Sequence, residues 1–156
     1  MCGRFTMTSP WELLRERFEV DIAEEEYRLR YNAAPGQDLW VIPAETPSQA
    51  QLFHWGLVPF RAKDPKIGNR LINARAETVA EKPAFRTPFR KHRCLVLADG
   101  FYEWDKKGAK RVPYRVVDKC HNIVDTMKCQ DIVDSSWCHD TVQYVLSQLI
   151  IKVLYL

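Results

Sequence analysis

Hydrophobic residues near the start of the chain repeat with the period of a helix. Trp11, Leu14 and Phe18 stand at i, i+3 and i+7, so they share one helix face. The Ser-Pro-Trp-Glu sequence at 9–12 is typical of a helix start, because serine caps, proline suits the first turn and glutamate completes a capping box. We therefore predict a helix that starts near Trp11 and ends before Asp21.

Short apolar runs bounded by proline or glycine predict strands further along the chain. The predicted strands are 39–42, stopped by Pro43; 51–58, broken by Gly56; and 93–98, a nearly continuous apolar run typical of a buried strand. Residues 101–104 and 111–117 predict a hairpin around the turn Lys106-Lys107-Gly108. We predict a short helix around Glu77–Lys82, and loops at 21–37, 60–68 and 85–91, the last of them basic.

The chain changes character after Val117. No proline or glycine follows Pro113, so the turn residues of the first part are missing. Apolar residues in the tail have helical spacing, at Val142, Val145, Leu146, Leu149, Ile150 and Val153. We therefore divide the chain into a domain over 1–117 and a divergent C-terminal segment over 118–156.

Composition restricts the compartment and the partners. The 156 residues are 46% hydrophobic, enough for one core, and the net charge of +3 does not by itself imply a nucleic-acid partner. An odd count of five cysteines with no signal peptide ahead of them favours a reducing cytoplasm, with nucleoid association in a bacterium. The most apolar stretch, 142–156, is too short and polar to span a bilayer. We expect a monomer with no membrane partner and no cofactor.

Cys2 has distinctive chemistry if Met1 is removed. An N-terminal cysteine carries an α-amine beside its thiol, and α-amines have an unperturbed pKa of about 7.7–8.0, so a useful share is neutral near pH 7. A neutral amine can attack an aldehyde to form a Schiff base, and the thiolate can close on the same carbon to give a thiazolidine. The ring-opened sugar of an abasic site is such an aldehyde. The alternative is that Cys2 is a terminal residue without a role.

The residues after Cys2 favour the reactive interpretation. Gly3 permits close backbone approach, and Arg4 places a cation beside the thiol that could hold a phosphate. The basic segment 86–93 could follow a nucleic-acid backbone, or it could be a solvated loop.

A metal site is a competing hypothesis for the tail. Potential soft ligands recur there at intervals of nine, at Cys120-His121, Cys129 and Cys138-His139. This spacing differs from the C-x₂₋₄-C pairs of usual zinc sites, so we predict thiols without a metal.

Six segments, in order and spacing, resemble the SRAP (SOS-response-associated peptidase) family, whose members shield abasic sites in single-stranded DNA. They are MCGRF at 1–5, YNAAPGQ at 31–37, HWGLVPF at 54–60, INARAET at 72–78, KPAFR at 82–86 and RCLVLADGFYEW at 93–104. The resemblance implies a compact α+β fold, mostly β, with a positively charged DNA-binding cleft. It also implies that mature Cys2 forms a thiazolidine crosslink to an abasic site.

The resemblance also implies roles for individual residues. Asn73 and Glu103 match the family's active-site asparagine and glutamate. The residues that match DNA contacts or fall in motifs that line the DNA groove are Arg4, Arg75, Trp55, Trp104, Asn32 and Pro35. Several have a structural alternative: the tryptophans could be core, Arg75 could pair with a surface acid, Asn73 could cap the following turn, and Glu103 could be a strand-end carboxylate on the surface.

The resemblance ends near Val117. The family carries a catalytic histidine in a segment similar to H-x-R-M-P, and none of His54, His92, His121 and His139 stands in such a segment. Two alternatives to crosslinking therefore stay open. One is non-covalent binding of single-stranded DNA, and the other is a thiol autopeptidase that removes the residues before Cys2.

Overall fold

The structure is a computed structural model that describes residues 3–105, 111–117 and 154–155. Within these residues, the strands form two four-stranded antiparallel sheets. The strands are β1 (Phe5–Met7), β2 (Arg30–Ala33), β3 (Asp38–Pro43), β4 (Gln51–Trp55), β5 (Cys94–Val96), β6 (Gly100–Asp105), β7 (Val112–Val116) and β8 (Leu154–Tyr155). The helices are α1 (Trp11–Phe18), a 3-10 helix (Pro65–Arg70), α2 (Ala76–Val79) and α3 (Pro83–Lys91). The predicted α+β class is confirmed.

The N-terminal strand lies inside the first sheet. The strand order is β2-β1-β6-β7, so β1 pairs on both sides. Phe5 is opposite Ala33 of β2 and opposite Phe101 of β6, and Phe101 is in turn opposite Val116 of β7. The second sheet has the order β5-β3-β4-β8, with Val41 opposite both Val96 and Gln51.

The main core lies between the two sheets. It consists of the buried residues Phe5, Ala33, Leu39, Val41, Phe53, Trp55, Val96 and Phe101, which come from both sheets. The rings of Phe5 and Trp55 stack with centroids 5.0 Å apart. This contact joins the N-terminal strand to the second sheet.

Two smaller clusters hold the helices. Trp40 alternates with Leu39 and Val41 on β3, so it lies on the other face of the sheet and packs with Leu14 of α1 and with Tyr27. Leu57, Ala74, Val79 and Phe85 form the third cluster, which fixes α2 and α3.

Most of the predicted elements are present. The helix at 11–18, the strand that includes 39–42 and the pairing of the hairpin strands are confirmed. The predicted strand at 51–58 is shorter, at Gln51–Trp55. The short helix predicted around 77–82 occurs as Ala76–Val79. The predicted strand at 93–98 is shorter, at Cys94–Val96. The hairpin turn, the helical tail and the cysteine–histidine pairs of the tail lie outside the described residues.

Three predictions of local structure are wrong. Ser9 does not cap α1, whose N-cap is Pro10, because the Ser9 amide and hydroxyl both donate to Asp99 instead. The segment 85–91 is helical rather than a loop, because burial of Phe85 outweighs the hydrogen bond that Pro88 removes. The segment 21–37 contains β2, a polar edge strand that the hydrophobic pattern does not reveal.

Candidate active site at the N-terminal strand

Cys2 lies outside the described residues, and Gly3 begins the described chain. A Cβ atom built on Gly3 would meet nothing within 4 Å, so the described chain leaves open space around this residue. The residue directly before Gly3 is the predicted nucleophile. The strand that follows Cys2 therefore forms the described part of the site.

The backbone after Gly3 is held on several sides. The amide of Tyr102 donates to the Arg4 carbonyl over 3.0 Å, and Phe5 is opposite Phe101. The Phe5 side chain is buried against Trp55. Because β1 is an interior strand and the Phe5 side chain lies in the core, the backbone that leads to Cys2 has little freedom to shift.

Glu103 lies on the strand next to this segment. The pairs Phe5–Phe101 and Thr6–Gly100, together with the Tyr102–Arg4 hydrogen bond, set the register of β1 and β6. Continued by two residues, this register brings Glu103 level with Gly3. Glu103 is half-buried, and it alternates with Tyr102 so that it shares the face of Phe101.

Asn73 reaches the same region from another segment. Ile72 packs against the core cluster that contains Phe5, and its carbonyl accepts a hydrogen bond from Trp55 Nε1 over 3.0 Å. Leu71 accepts a further bond from the Leu57 amide. Asn73 is half-buried, and its side-chain oxygen is fully buried. The core thus brings the Asn73 segment up to the N-terminal strand.

Arg4 and Asn32 lie side by side. Arg4 Nη1 donates to Asn32 Oδ1 over 2.9 Å, and Tyr102 donates through its hydroxyl to the Tyr31 carbonyl over 3.1 Å. An amide oxygen is a neutral partner, and within the described chain Arg4 has no salt bridge to a carboxylate. Among the described residues, no carboxylate therefore neutralises the positive charge of Arg4.

Pro35 and Arg75 lie on loops. Pro35 lies in a turn in which the Gln37 amide donates to Ala34 and the Gly36 amide donates to Trp55. Arg75 is exposed, precedes α2 in an extended conformation, and has no salt bridge within the described residues. The alternative in which Arg75 pairs with a surface acid does not occur in this part of the chain.

The two tryptophans differ in burial. Trp55 is 1% exposed, stacks on Phe5 and donates to Ile72, so the core alternative holds for it and direct stacking on a base does not fit its burial. Trp104 is 36% exposed on β6, next to Glu103. Of this pair, only Trp104 is exposed to solvent.

A buried carboxylate escaped the sequence analysis. Asp99 is 3% exposed and accepts hydrogen bonds from Thr6, Thr8 and Ser9. Burial by itself would raise the pKa of the Asp99 carboxyl, but these hydrogen bonds outweigh it and hold the pKa below its usual value. An Asp-Gly pair before a strand is typical of a turn, so the sequence carries little signal for this role.

The described residues hold no group of three histidine, cysteine, aspartate or glutamate side chains that could bind a metal ion. In the same part of the chain, no helix combines the length and the apolar composition needed to cross a bilayer.

Comparison with known proteins extends this picture. The curated relatives include abasic site processing protein YobE of Bacillus subtilis, 44% identical over 127 residues, which cover 79% of this chain and 58% of that protein. They also include YedK of Escherichia coli, an abasic site processing protein 36% identical over 121 residues, 73% of this chain and 52% of that protein. The chain thus spans little more than half the length of these relatives.

Solved structures share the fold. A protein from Bacteroides thetaiotaomicron superimposes with a TM-score of 0.68 at 27% identity, covering 78% of this chain and 56% of that one. A protein from Bordetella bronchiseptica gives a TM-score of 0.61 at 25% identity, covering 73% and 56%. The sequence profile described as SOS response associated peptidase (SRAP) matches residues 1–138. The chain therefore belongs to the SOS response associated peptidase family.

Proposed function

We propose that the protein processes abasic sites in single-stranded DNA by forming a covalent link through Cys2. The observation that carries the proposal is the course of the N-terminal strand. Cys2 precedes a glycine around which the described residues leave open space, and the strand that follows is held at the interior of a sheet. Relatives named abasic site processing proteins support abasic DNA as the substrate.

The proposed reaction needs no cofactor. After removal of Met1, the Cys2 nitrogen adds to the carbonyl carbon of the ring-opened sugar, and one water leaves to form a Schiff base. The Cys2 sulfur then adds to the same carbon, and the thiol proton passes to the nitrogen. One carbon–nitrogen bond and one carbon–sulfur bond replace the carbonyl, with no change of oxidation state. The second attack is intramolecular, which favours closure of the ring.

Two side chains would assist this reaction. Sugar ring opening and the departure of water both require a proton to move. The Glu103 carboxylate, on the strand level with Gly3, would accept and return that proton. The Asn73 amide would orient the sugar by hydrogen bonds to its oxygens.

The DNA strand would be held by charge and by stacking. Arg4 and Arg75 would bind phosphates, because neither pairs with a carboxylate within the described chain. Asn32 would keep Arg4 in place through their 2.9 Å hydrogen bond. Trp104 would stack on a base beside the abasic site, and Pro35 would line the groove.

The test is crosslinking to a single-stranded oligonucleotide with one abasic site, followed by a denaturing gel. The wild-type protein should give a shifted band, and Cys2→Ala should give none. Cys2→Ser keeps the α-amine, so it should give a stable adduct only after borohydride reduction of the Schiff base. Molecules that retain Met1 in a mass spectrum should carry no DNA.

Cys94 provides the matched control. It is a half-buried internal cysteine with no α-amine, so Cys94→Ala should crosslink at the wild-type rate. Duplex DNA should react poorly, because the sugar must leave the stacked strand to reach the site. Salt-sensitive binding of the oligonucleotide without any adduct would refute the covalent mechanism and favour the non-covalent alternative.

A further inference from the structure

The Asp99 carboxylate accepts hydrogen bonds from residues between positions 6 and 9, directly after the N-terminal residues of the candidate site. Thr6 Oγ1 donates to Asp99 Oδ1 over 2.6 Å, while the Ser9 amide and the Thr8 hydroxyl donate to Oδ2 over 2.8 and 2.9 Å. The Thr8 amide also donates to Oδ2. Arg115 Nη2 lies 3.4 Å from Oδ1 and supplies a cation to the buried carboxylate. One side chain on the approach to β6 thus binds three of the four residues from 6 to 9.

Gly100 completes this arrangement. It is opposite Thr6, and a Cβ atom at position 100 would lie 2.8 Å from Thr6 Oγ1 and 2.8 Å from the Val116 carbonyl. The Thr6 hydroxyl therefore occupies space that exists only above a glycine. Any other pairing would remove it from Asp99, and a shift by one residue would also turn Phe5 away from the core.

This pairing determines which residue of β6 lies level with Gly3. With Thr6 opposite Gly100, Arg4 bonds to Tyr102 and Glu103 comes level with Gly3. Without it, the carboxylate and the residue that follows Cys2 would be displaced along the sheet. A shift of the pairing by one residue would move Glu103 by about 3.3 Å along the sheet. Because proton transfer requires the two groups to lie within about 3.2 Å of each other, such a shift would take the carboxylate out of reach.

We propose that Asp99 is a positioning residue for the crosslinking reaction: through Thr6, Thr8 and Ser9 it fixes β1 in the register that brings Gly3, the residue after the nucleophile, level with Glu103. This inference rests on the proposed function. Asp99 contacts neither the substrate nor the reacting atoms in this role. It acts through the strand that carries them.

The test compares Asp99→Asn with the wild-type protein in three measurements. These are the crosslinking rate at saturating abasic oligonucleotide, the Kd for an intact oligonucleotide, and the rate of thiazolidine formation with glyoxylate. The small aldehyde diffuses freely to Cys2 and needs no alignment with Glu103. We expect the crosslinking rate to fall about 10- to 100-fold, with the other two values within about twofold. Asp99→Glu should recover little, because the longer side chain does not fit the buried site.

Asp64→Asn is the matched control. Asp64 is an exposed carboxylate that accepts a backbone amide at the 3-10 helix, so its loss should leave all three measurements unchanged. If Asp99→Asn does not fold, Thr6→Val decides the question, because it removes the hydroxyl with little change of shape. We expect it to slow crosslinking about 3- to 10-fold with an unchanged Kd.

Two results would overturn the assignment. One is a folded Asp99→Asn, or Thr6→Val in its place, that crosslinks at the wild-type rate. The other is an equal loss in all three measurements, which indicates general destabilisation. Absence of an adduct with the wild-type protein would instead refute the proposed function, and it would be seen before any variant is compared.

Discussion

The contrast between the two tryptophans can be tested by the same substitution at both positions. Trp55→Leu removes a buried ring that stacks on Phe5 and donates to the Ile72 carbonyl over 3.0 Å. Trp104→Leu removes a ring that is 36% exposed. We expect the first change to reduce the free energy of unfolding and the second to reduce the affinity for single-stranded DNA.

The structure sets the size of each effect. At Trp55, the lost ring volume and the buried carbonyl left without its donor together cost about 3–5 kcal/mol. At Trp104, the free energy of unfolding should change by less than about 1 kcal/mol. Loss of base stacking should cost about 1–3 kcal/mol of binding free energy, which is about 5- to 150-fold in Kd.

Urea unfolding followed by far-UV circular dichroism measures the first quantity, and fluorescence anisotropy with a labelled oligonucleotide measures the second. Binding is compared at a temperature where each variant is folded, and there Trp55→Leu should keep its Kd within about twofold. The reverse pattern, in which Trp55→Leu is as stable as wild type but binds DNA weakly, would show that burial does not separate these roles.

Three further outcomes are expected. Burial, followed by the charges of Asp99 and Glu12, raises the pKa of Tyr27 to about 12 from 10.0, so the unfolded chain loses this proton first as pH rises and stability falls between about pH 10 and 12. At pH 7 the Tyr27 hydroxyl of the wild-type protein donates to the Ser9 carbonyl, so Tyr27→Phe should be less stable than wild type by about 1–2 kcal/mol. At pH 11 the two proteins should be about equally stable. A difference in the free energy of unfolding in urea that is the same at both pH values would contradict this. Gly56→Ala should cost at least about 2 kcal/mol in the same assay, because φ is +149° and the new Cβ would lie 2.7 Å from the Gly68 carbonyl; wild-type stability would rule out that conformation. Three of the four exposed cations of α3 and its N-cap are Lys82, Arg86 and Arg90. Neutralising all three to Gln should flatten the slope of log K against log salt for single-stranded DNA by about 2, whereas an unchanged slope would place the phosphates elsewhere.

Local patterns along the chain were sufficient for much of the fold. The helix at 11–18 and the strands around Leu39 and Phe53 follow from spacing, because helical and extended periods act over a few residues. The segment at 85–91 shows the limit of this reasoning. Pro88 suggests a loop, but burial of Phe85 beneath α2 and Leu57 favours the helix, and no local pattern reports that burial.

The candidate site likewise has one part that the sequence predicts and another that only the tertiary structure decides. The chemistry of Cys2 could be predicted from the sequence, because an N-terminal amine and thiol share one residue and need no fold to be adjacent. The arrangement of the residues around Cys2 is decided by the tertiary structure. Trp55 is buried in the core, whereas Trp104 is exposed, and Thr6 donates a hydrogen bond to Asp99, 93 positions further along the sequence. Those outcomes depend on which strands pair, in which register, and which sheet faces meet. These are properties of contacts between distant segments, so no short stretch of residues encodes them.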